Sequence, residues 1–383
     1  MPLAGGDCRG GEISAAWPDT AVVPNAIFMT TWYGGHNPVS MERRGREDGT
    51  MMNRRITLKS RPAGIPGPSE FSEDFVPVRP LNPGELLVET MYISIDPAMR
   101  SWIADASGYT RAVAIGDVMR AGGIGRVLQS KADGFSAGDL VQGRTGWQSH
   151  PMLRGRETQK LDLSLGSVED WMGPLGTSAL TAYFGIRDIG SLRPGETLLV
   201  SAAAGGVGQI AAQIGLIDAC HVVGIAGGEE KCRFIQQTFG VHAVIDYKSE
   251  VDLTAAIRRE CPEGVDVYFD NVGGPTLDAA LANLRPDARI ALCGRISQTV
   301  AAEPYGIRNL GMTGGKRVTI RSFLVFDYHD RYQEARAWLS AQIRDGRLRQ
   351  KLHIVDGLEN APSALGMLFR GENVGKLVVR AVA

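Results

Sequence analysis

Six consecutive residues, Ala203-Ala204-Gly205-Gly206-Val207-Gly208, carry the clearest chemical signal in this 383-residue chain. An apolar run over 197–202 precedes them, and a helix-period stretch over 207–217 follows. A strand that breaks into glycine and restarts as a helix leaves backbone N–H groups at a helix N-terminus, where a phosphate can sit. A second strand over 220–226 completes the strand–turn–helix–strand unit that takes a dinucleotide pyrophosphate. Gly205 lets the backbone approach phosphate, and Gly208 lets the helix pack closely on the strand. Gly206 and Val207 complete the turn. Ala203 stands where a first glycine is usual, which predicts a turn without positive φ there. An A-x-G-x-x-G run alone is a weak sign; the flanking elements at the right spacing make it specific.

The second strand ends in Gly227-Gly228, where a carboxylate would ordinarily hold a ribose diol. Lys231 follows in the first turn of the next helix, with Arg233 close behind. Cations in place of an acid predict a 2′-phosphate, and hence NADP(H). The plainer reading makes Lys231 a solvated lysine among Glu229 and Glu230. Tyr247, just past the third strand, is a candidate for the adenosine end or an ordinary half-buried tyrosine. Asn271, in Asp270-Asn271-Val272-Gly273-Gly274, closes the fourth strand at the ligand crevice and is a candidate for the nicotinamide. Its alternative is an asparagine chosen for the turn. Cys293, Ile296 and Ser297 occupy the same position after the fifth strand.

A catalytic zinc needs three converging Cys, His or acidic ligands. The six histidines and five cysteines show no such spacing, so no metal is expected. A hydride-transfer protein without a Lewis acid suits conjugated carbonyls. Hydride adds to the β-carbon, and hydrogen bonds stabilise the enolate.

These residues need a framework. From 175 onward, strands alternate with helices: strands over 197–202, 220–226, 243–246, 265–270, 289–293 and 318–324, with helices over 207–217, 229–239, 253–260, 276–284 and 331–345. That alternation predicts a doubly wound parallel sheet. The last helix places Tyr332, Ala335, Trp338, Leu339 and Ile343 on one face. Before 175, short strands around glycine turns (55–58, 85–94, 118–128, 140–143) predict a small barrel-like β domain. The stretch 377–382 returns to strand character. The first fifty residues lack either period. They read as a flexible extension or, preferably, as sequence upstream of a start at Met51 or Met52.

A net charge of −1 makes no case for nucleic acid or an acidic membrane surface. No apolar run is long enough to span a bilayer. Five cysteines without paired spacing read as reduced thiols in a cytoplasmic protein.

As a group the motifs resemble the medium-chain dehydrogenase/reductase superfamily, in its zinc-free branch of prostaglandin/leukotriene, plant alkenal and bacterial curcumin reductases. The segments carrying the resemblance include ISIDPAMR (93–100), GWQ (146–148), LTAYFG (180–185), VSAAAGGVGQ, GIAGGEEKC, FDNVGG, CGRISQ and ENVGKLVV (372–379). It implies a GroES-like catalytic domain over 52–176, an NADP-binding Rossmann domain over 177–350, and a return to the catalytic domain over 351–383. It implies NADPH-dependent reduction of the α,β double bond of enones or enals, and it suggests a homodimer. By residue it implies Lys231 on the 2′-phosphate, Tyr247 on the cofactor phosphates or ribose, and Asn271 and Asn373 near the nicotinamide. Tyr109 is implied at the substrate mouth. One departure stands out. The family commonly places a tyrosine against the substrate carbonyl where this chain has Thr299; Tyr305, six residues on, is a candidate replacement. Quinone reduction is the alternative activity. An NADPH-binding sensor with little catalysis is the alternative from another class.

Overall fold

The structure is a computed structural model that describes residues 50–104 and 110–381, all within one compact unit, Gly45–Ala383. The expected N-terminal extension lies almost wholly outside these residues, as does Tyr109.

The first half is built from short antiparallel strands. β1 (Met52–Leu58) pairs with β2 (Phe71–Pro77). β3 (Glu85–Ser94), β4 (Gly123–Ser130), β5 (Leu140–Gly143), β6 (Met152–Arg154) and β7 (Gln159–Lys160) form most of a second sheet. The expected strand over 118–128 begins late. Its first residues instead cross β1, where Met119 N donates to Ile56 O and accepts Trp147 N at its own carbonyl. The strand begins only at Gly123, where a Cβ would lie 2.5 Å from Tyr92 O.

The second half forms one parallel sheet from β8 (Thr197–Ser201), β9 (His221–Ala226), β10 (Ala243–Asp246), β11 (Val265–Asp270), β12 (Leu284–Leu292) and β13 (Thr319–Ser322). β8 and β11 are buried along their whole length. Strands covered by helices on both faces need near-continuous apolar runs, and TLLVS and VYF supply them. The order β10-β9-β8-β11-β12-β13 reads 3-2-1-4-5-6 in sequence terms, the dinucleotide-binding order. Its direction reverses between β8 and β11, which opens a crevice at their carboxyl ends. The helix expected over 276–284 runs Gly274–Leu281, and β12 starts earlier than the expected 289. Asp287, at φ 62, lets the strand bulge against β11 at the register shift between Val265 and Val267.

β14 (Leu352–Asp356) and β15 (Lys376–Arg380) lie outside this sheet and extend that of β3–β7, β15 pairing antiparallel with β3. The helix Tyr332–Arg344 buries Ala335 and Leu339 as its apolar stripe requires, and it also buries Arg336. The Arg336 guanidinium donates to Leu175 O, Gln159 Oε1 and Gln142 Oε1, and lies 4.5 Å from the Trp171 ring. Burial pushes its pKa down to about 10, so it remains a cation at neutral pH. Through it this helix is fastened to β5 and β7, across the two halves.

Candidate cofactor and active site

The turn after β8 has one strained residue, Ala202 at φ 48. Ala203 keeps negative φ as its type demands, so the left-handed conformation moves one residue earlier. Ala203 N donates to Ile225 O (3.0 Å) and Gly205 N to Ala202 O (2.9 Å), closing the loop onto β9. The glycines have different reasons to be glycine. A Cβ on Gly208 would sit 2.2 Å from Ala202 O, so the helix Gly208–Ile217 can approach β8 only without one. A Cβ on Gly205 would meet only Ala202 O, at 3.1 Å; its other side is open. Among the described residues, the N–H groups of Val207 and Gly208 have no internal acceptor, while Gly205 forms a parallel bridge with Gly375. Unsatisfied donors at a helix N-terminus beside open space fit a pyrophosphate.

At the carboxyl end of β9, Gly227 lies beneath the Tyr247 ring, where a Cβ would come within 2.6 Å of it. Tyr247 is 49% exposed, and its ring presents a flat surface outward. The neighbouring Asp246 carboxylate is turned inward onto the N–H groups of Gly228 (2.8 Å) and Lys248 (3.0 Å). Lys231 is half-buried, and its Nζ donates to Gly371 O at 2.7 Å. Burial lowers its pKa, and so does the charge of Lys248, while Glu230 raises it. Two lysines within electrostatic reach of each other near a surface tyrosine suit a doubly charged anion. Arg233 does not join them: its guanidinium pairs with Glu229 one helical turn away.

His353 borders the same place. Burial, Lys351 and Lys231 depress its pKa, Glu230 opposes them, and its Nδ1 accepts from Val374 N at 3.4 Å. A folded pKa below the unfolded value of about 6.5 gives stability that is complete above that pH. It is lost as pH falls through the folded pKa. The urea midpoint should therefore be higher at pH 7.5 than at pH 5.5, and His353→Gln should shrink the difference. An unchanged difference would remove His353 from the account.

The crevice between β8 and β11 brings the remaining residues together. Asn271 N donates to Ser201 Oγ and Asn271 Nδ2 to Ser201 O (2.7 Å). The turn reading of this asparagine thus describes one of its amide N–H groups, and its Oδ1 has no internal donor among the described residues. Ile296 N donates to Asn271 O, and Ser297 Oγ to Val272 O at 2.7 Å. Behind them Asp270 is fully buried; its Oδ1 accepts from Tyr268, Ser201, Val272 and Gly273, and burial raises its pKa. Cys293 closes the wall, its thiol pushed up to about 12 by burial. Asn373 is buried, with Nδ2 donating to Gly375 O (2.8 Å), and Gly375 N in turn donates to Ala204 O. The loop after the helix Ala361–Arg370 is thereby docked on the glycine turn. Among the described residues no three His, Cys, Asp or Glu side chains are grouped to hold a metal ion.

Two family profiles match the chain: N-terminal domain of oxidoreductase over residues 54–161, and zinc-binding dehydrogenase over 206–341. The NADPH-dependent curcumin reductase of Escherichia coli (strain K12) is 37% identical over 334 residues, covering 86% of this chain and 96% of that protein. The chain belongs to the medium-chain dehydrogenase/reductase superfamily. It falls in the branch of curcumin, alkenal and prostaglandin reductases. A 2-alkenal reductase (NADP(+)-dependent) of Nicotiana tabacum is 38% identical, over 85% of this chain and 97% of that one. The crystal structure of CurA from Vibrio vulnificus in complex with NADPH superposes with a TM-score of 0.82 at 37% identity, covering 86% of this chain and 99% of that chain. The second profile's zinc description finds no grouped ligands to attach to among the described residues.

Thr299 lies in the short helical turn Ile296–Thr299. Its Oγ1 donates to Arg295 O (3.1 Å), within its own helical turn. Tyr305 returns toward Thr299 through its backbone, whose N–H donates to Gln298 Oε1 (2.7 Å), but its ring is engaged elsewhere. Its hydroxyl donates to Asp278 Oδ2 (2.9 Å), and Arg308 lies over its ring. Asp278 also accepts the N–H groups of Arg308 and Asn309, so this loop is pinned to the helix Gly274–Leu281. Sequence reasoning missed Lys376, Asp96, Gln350 and His353. The first two lay inside quoted segments, but no spacing rule pairs charges 280 residues apart.

Proposed function

We propose that this protein reduces the α,β carbon–carbon double bond of enones and enals with NADPH. The observation that carries the cofactor choice is the carboxyl end of β9, where Gly227-Gly228 stands in place of an acid and the half-buried Lys231 lies within electrostatic reach of Lys248. The residues fit the cofactor. The turn from Ala203 through Gly205, Gly206, Val207 and Gly208 takes the pyrophosphate on its N–H groups, with Gly227 leaving room for the ribose. Lys231 takes the 2′-phosphate, and Tyr247 covers the adenosine end. Asn271 and Asn373 each have the amide nitrogen committed to a backbone carbonyl, which fixes the side chain and leaves Oδ1 as acceptor for the carboxamide. Cys293, Ile296 and Ser297 complete the wall. When bound, the cofactor supplies a hydride for the β-carbon of the substrate. The chain then has to hold the carbonyl oxygen as charge develops on it, and Tyr109, outside the described residues, is the candidate donor.

The substrate class is supported by the relatives' names. The same reading divides the chain at about residues 176 and 350, as its 6-stranded and 7-stranded sheets suggest. The cytoplasm suits the four free thiols among the described residues, Cys220, Cys232, Cys261 and Cys293, whose pKa values are all pushed up by burial. A homodimer suits the open edge of β13, exposed at all four residues and bordered by exposed Leu310, Met312, Leu324 and Phe326. Steady-state NADPH oxidation against a panel of enals, enones and quinones tests the activity. Enals and enones should give the higher kcat/KM; a preference for quinones would replace this reading.

A further inference from the structure

We infer that Lys376 and Asp96 form a positioning pair that sets the end of β3 against the cofactor's glycine turn. The inference rests on the proposed function for its kinetic consequence, but the contacts stand by themselves. Lys376 is 4% exposed. Its stem runs under Gly206, where a Cβ would lie 2.9 Å from Lys376 Cδ. Its ammonium emerges at the end of β3, donating to Ile95 O (2.9 Å) and Asp96 Oδ1 (2.7 Å). The other carboxylate oxygen of Asp96 accepts from Ser94 Oγ, so both oxygens of the acid are engaged. Ile95 N donates to Leu377 O, and Gly206 O accepts from Gln350 Nε2 at 2.6 Å.

One lysine thus touches three segments that are far apart in sequence: the turn that would carry the pyrophosphate, the returning strand β15, and the loop that opens the ISIDPAMR segment. Burying an ammonium is costly unless it is paired, and a mostly apolar core would not need it here. A buried ion pair has value where geometry must be unique, and hydride transfer is such a case. A misplacement of about 1 Å between reacting groups costs up to about a hundredfold in rate. The stem of Lys376 serves the turn, and its charge serves the distance between turn and loop. These two functions can be separated.

Lys376→Met keeps the stem and removes the ammonium; Asp96→Asn keeps an acceptor and removes the charge. Both should retain an NADPH dissociation constant within about twofold while kcat for an enone falls about ten- to a hundredfold. With C4-deuterated NADPH the isotope effect on kcat should grow, because hydride transfer has become the slow step. The double variant should lose no more than the worse single. Hydrogen exchange at the Ile95 amide should speed up in both single variants without a matching fall in Tm. NADPH affinity falling in parallel with kcat would make the pair a mere support of the cofactor site. An unchanged isotope effect, or unchanged exchange at Ile95, would equally overturn the proposal. If the wild type turns over no enone, the proposed function fails and the exchange measurement still decides the pair.

Discussion

Lys231→Ala raises the KM for NADPH by about ten- to a hundredfold and leaves that for NADH within about twofold. A hydrogen bond to a charged group contributes about 1.5–3 kcal/mol, and each 1.4 kcal/mol is about tenfold in affinity. The structure sharpens this expectation. Lys231 is half-buried; Gly371 O accepts from its ammonium, and Lys248 acts on it with like charge. Burial first and the Lys248 charge second lower its proton affinity, and a phosphate would oppose both. Part of the binding energy is therefore relief of repulsion, which NADH cannot supply. Initial rates with both cofactors at saturating enone measure the ratio. Equal losses for both would mean that Lys231 only holds the Gly371 loop, and the 2′-phosphate assignment would fall.

The second large effect separates two glycines three residues apart. Gly208→Ala places a methyl 2.2 Å from Ala202 O, backbone against backbone, where neither side is a flexible side-chain end. Overpacking a tight contact costs about 1–3 kcal/mol, and here the strained Ala202 must also move, so about 3 kcal/mol or more of stability should be lost. Gly205→Ala meets only one atom, at 3.1 Å, and should change the denaturant midpoint little. Its methyl instead points where phosphate must approach, and NADPH affinity should fall by about tenfold or more. Denaturant titration and cofactor binding, run on both variants, give a crossed pattern. A Gly208→Ala protein as stable as wild type would contradict the packing argument; a Gly205→Ala protein with normal affinity would contradict the phosphate argument.

Much of this arrangement was legible because periodic elements announce themselves. The strand and helix bounds at Ala243–Asp246, Leu253–Glu260, Val265–Asp270 and Glu229–Phe239 match the expected ones, since each is closed by its own turn chemistry. Boundaries failed where tertiary contacts override local pattern. β4 starts late because Gly123 lies against the backbone of Tyr92, and β12 starts early because Asp287 bulges. Arg336 was invisible in the helix pattern: an arginine on an apolar face reads as a break in the stripe until Trp171 and two glutamines receive it. The site shows the same division. Backbone chemistry in the turn could be read from residue types, whereas the Lys376–Asp96 contact and the capture of Tyr305 by Asp278 depend on loops meeting in space.

The central claim is that hydride goes to carbon, not to oxygen. Incubating the full chain with C4-deuterated NADPH and a simple aryl enone, then reading the product by NMR, tests it directly. The account predicts a saturated ketone with deuterium on the β-carbon and the carbonyl intact. An allylic alcohol with deuterium on the carbinol carbon would contradict it.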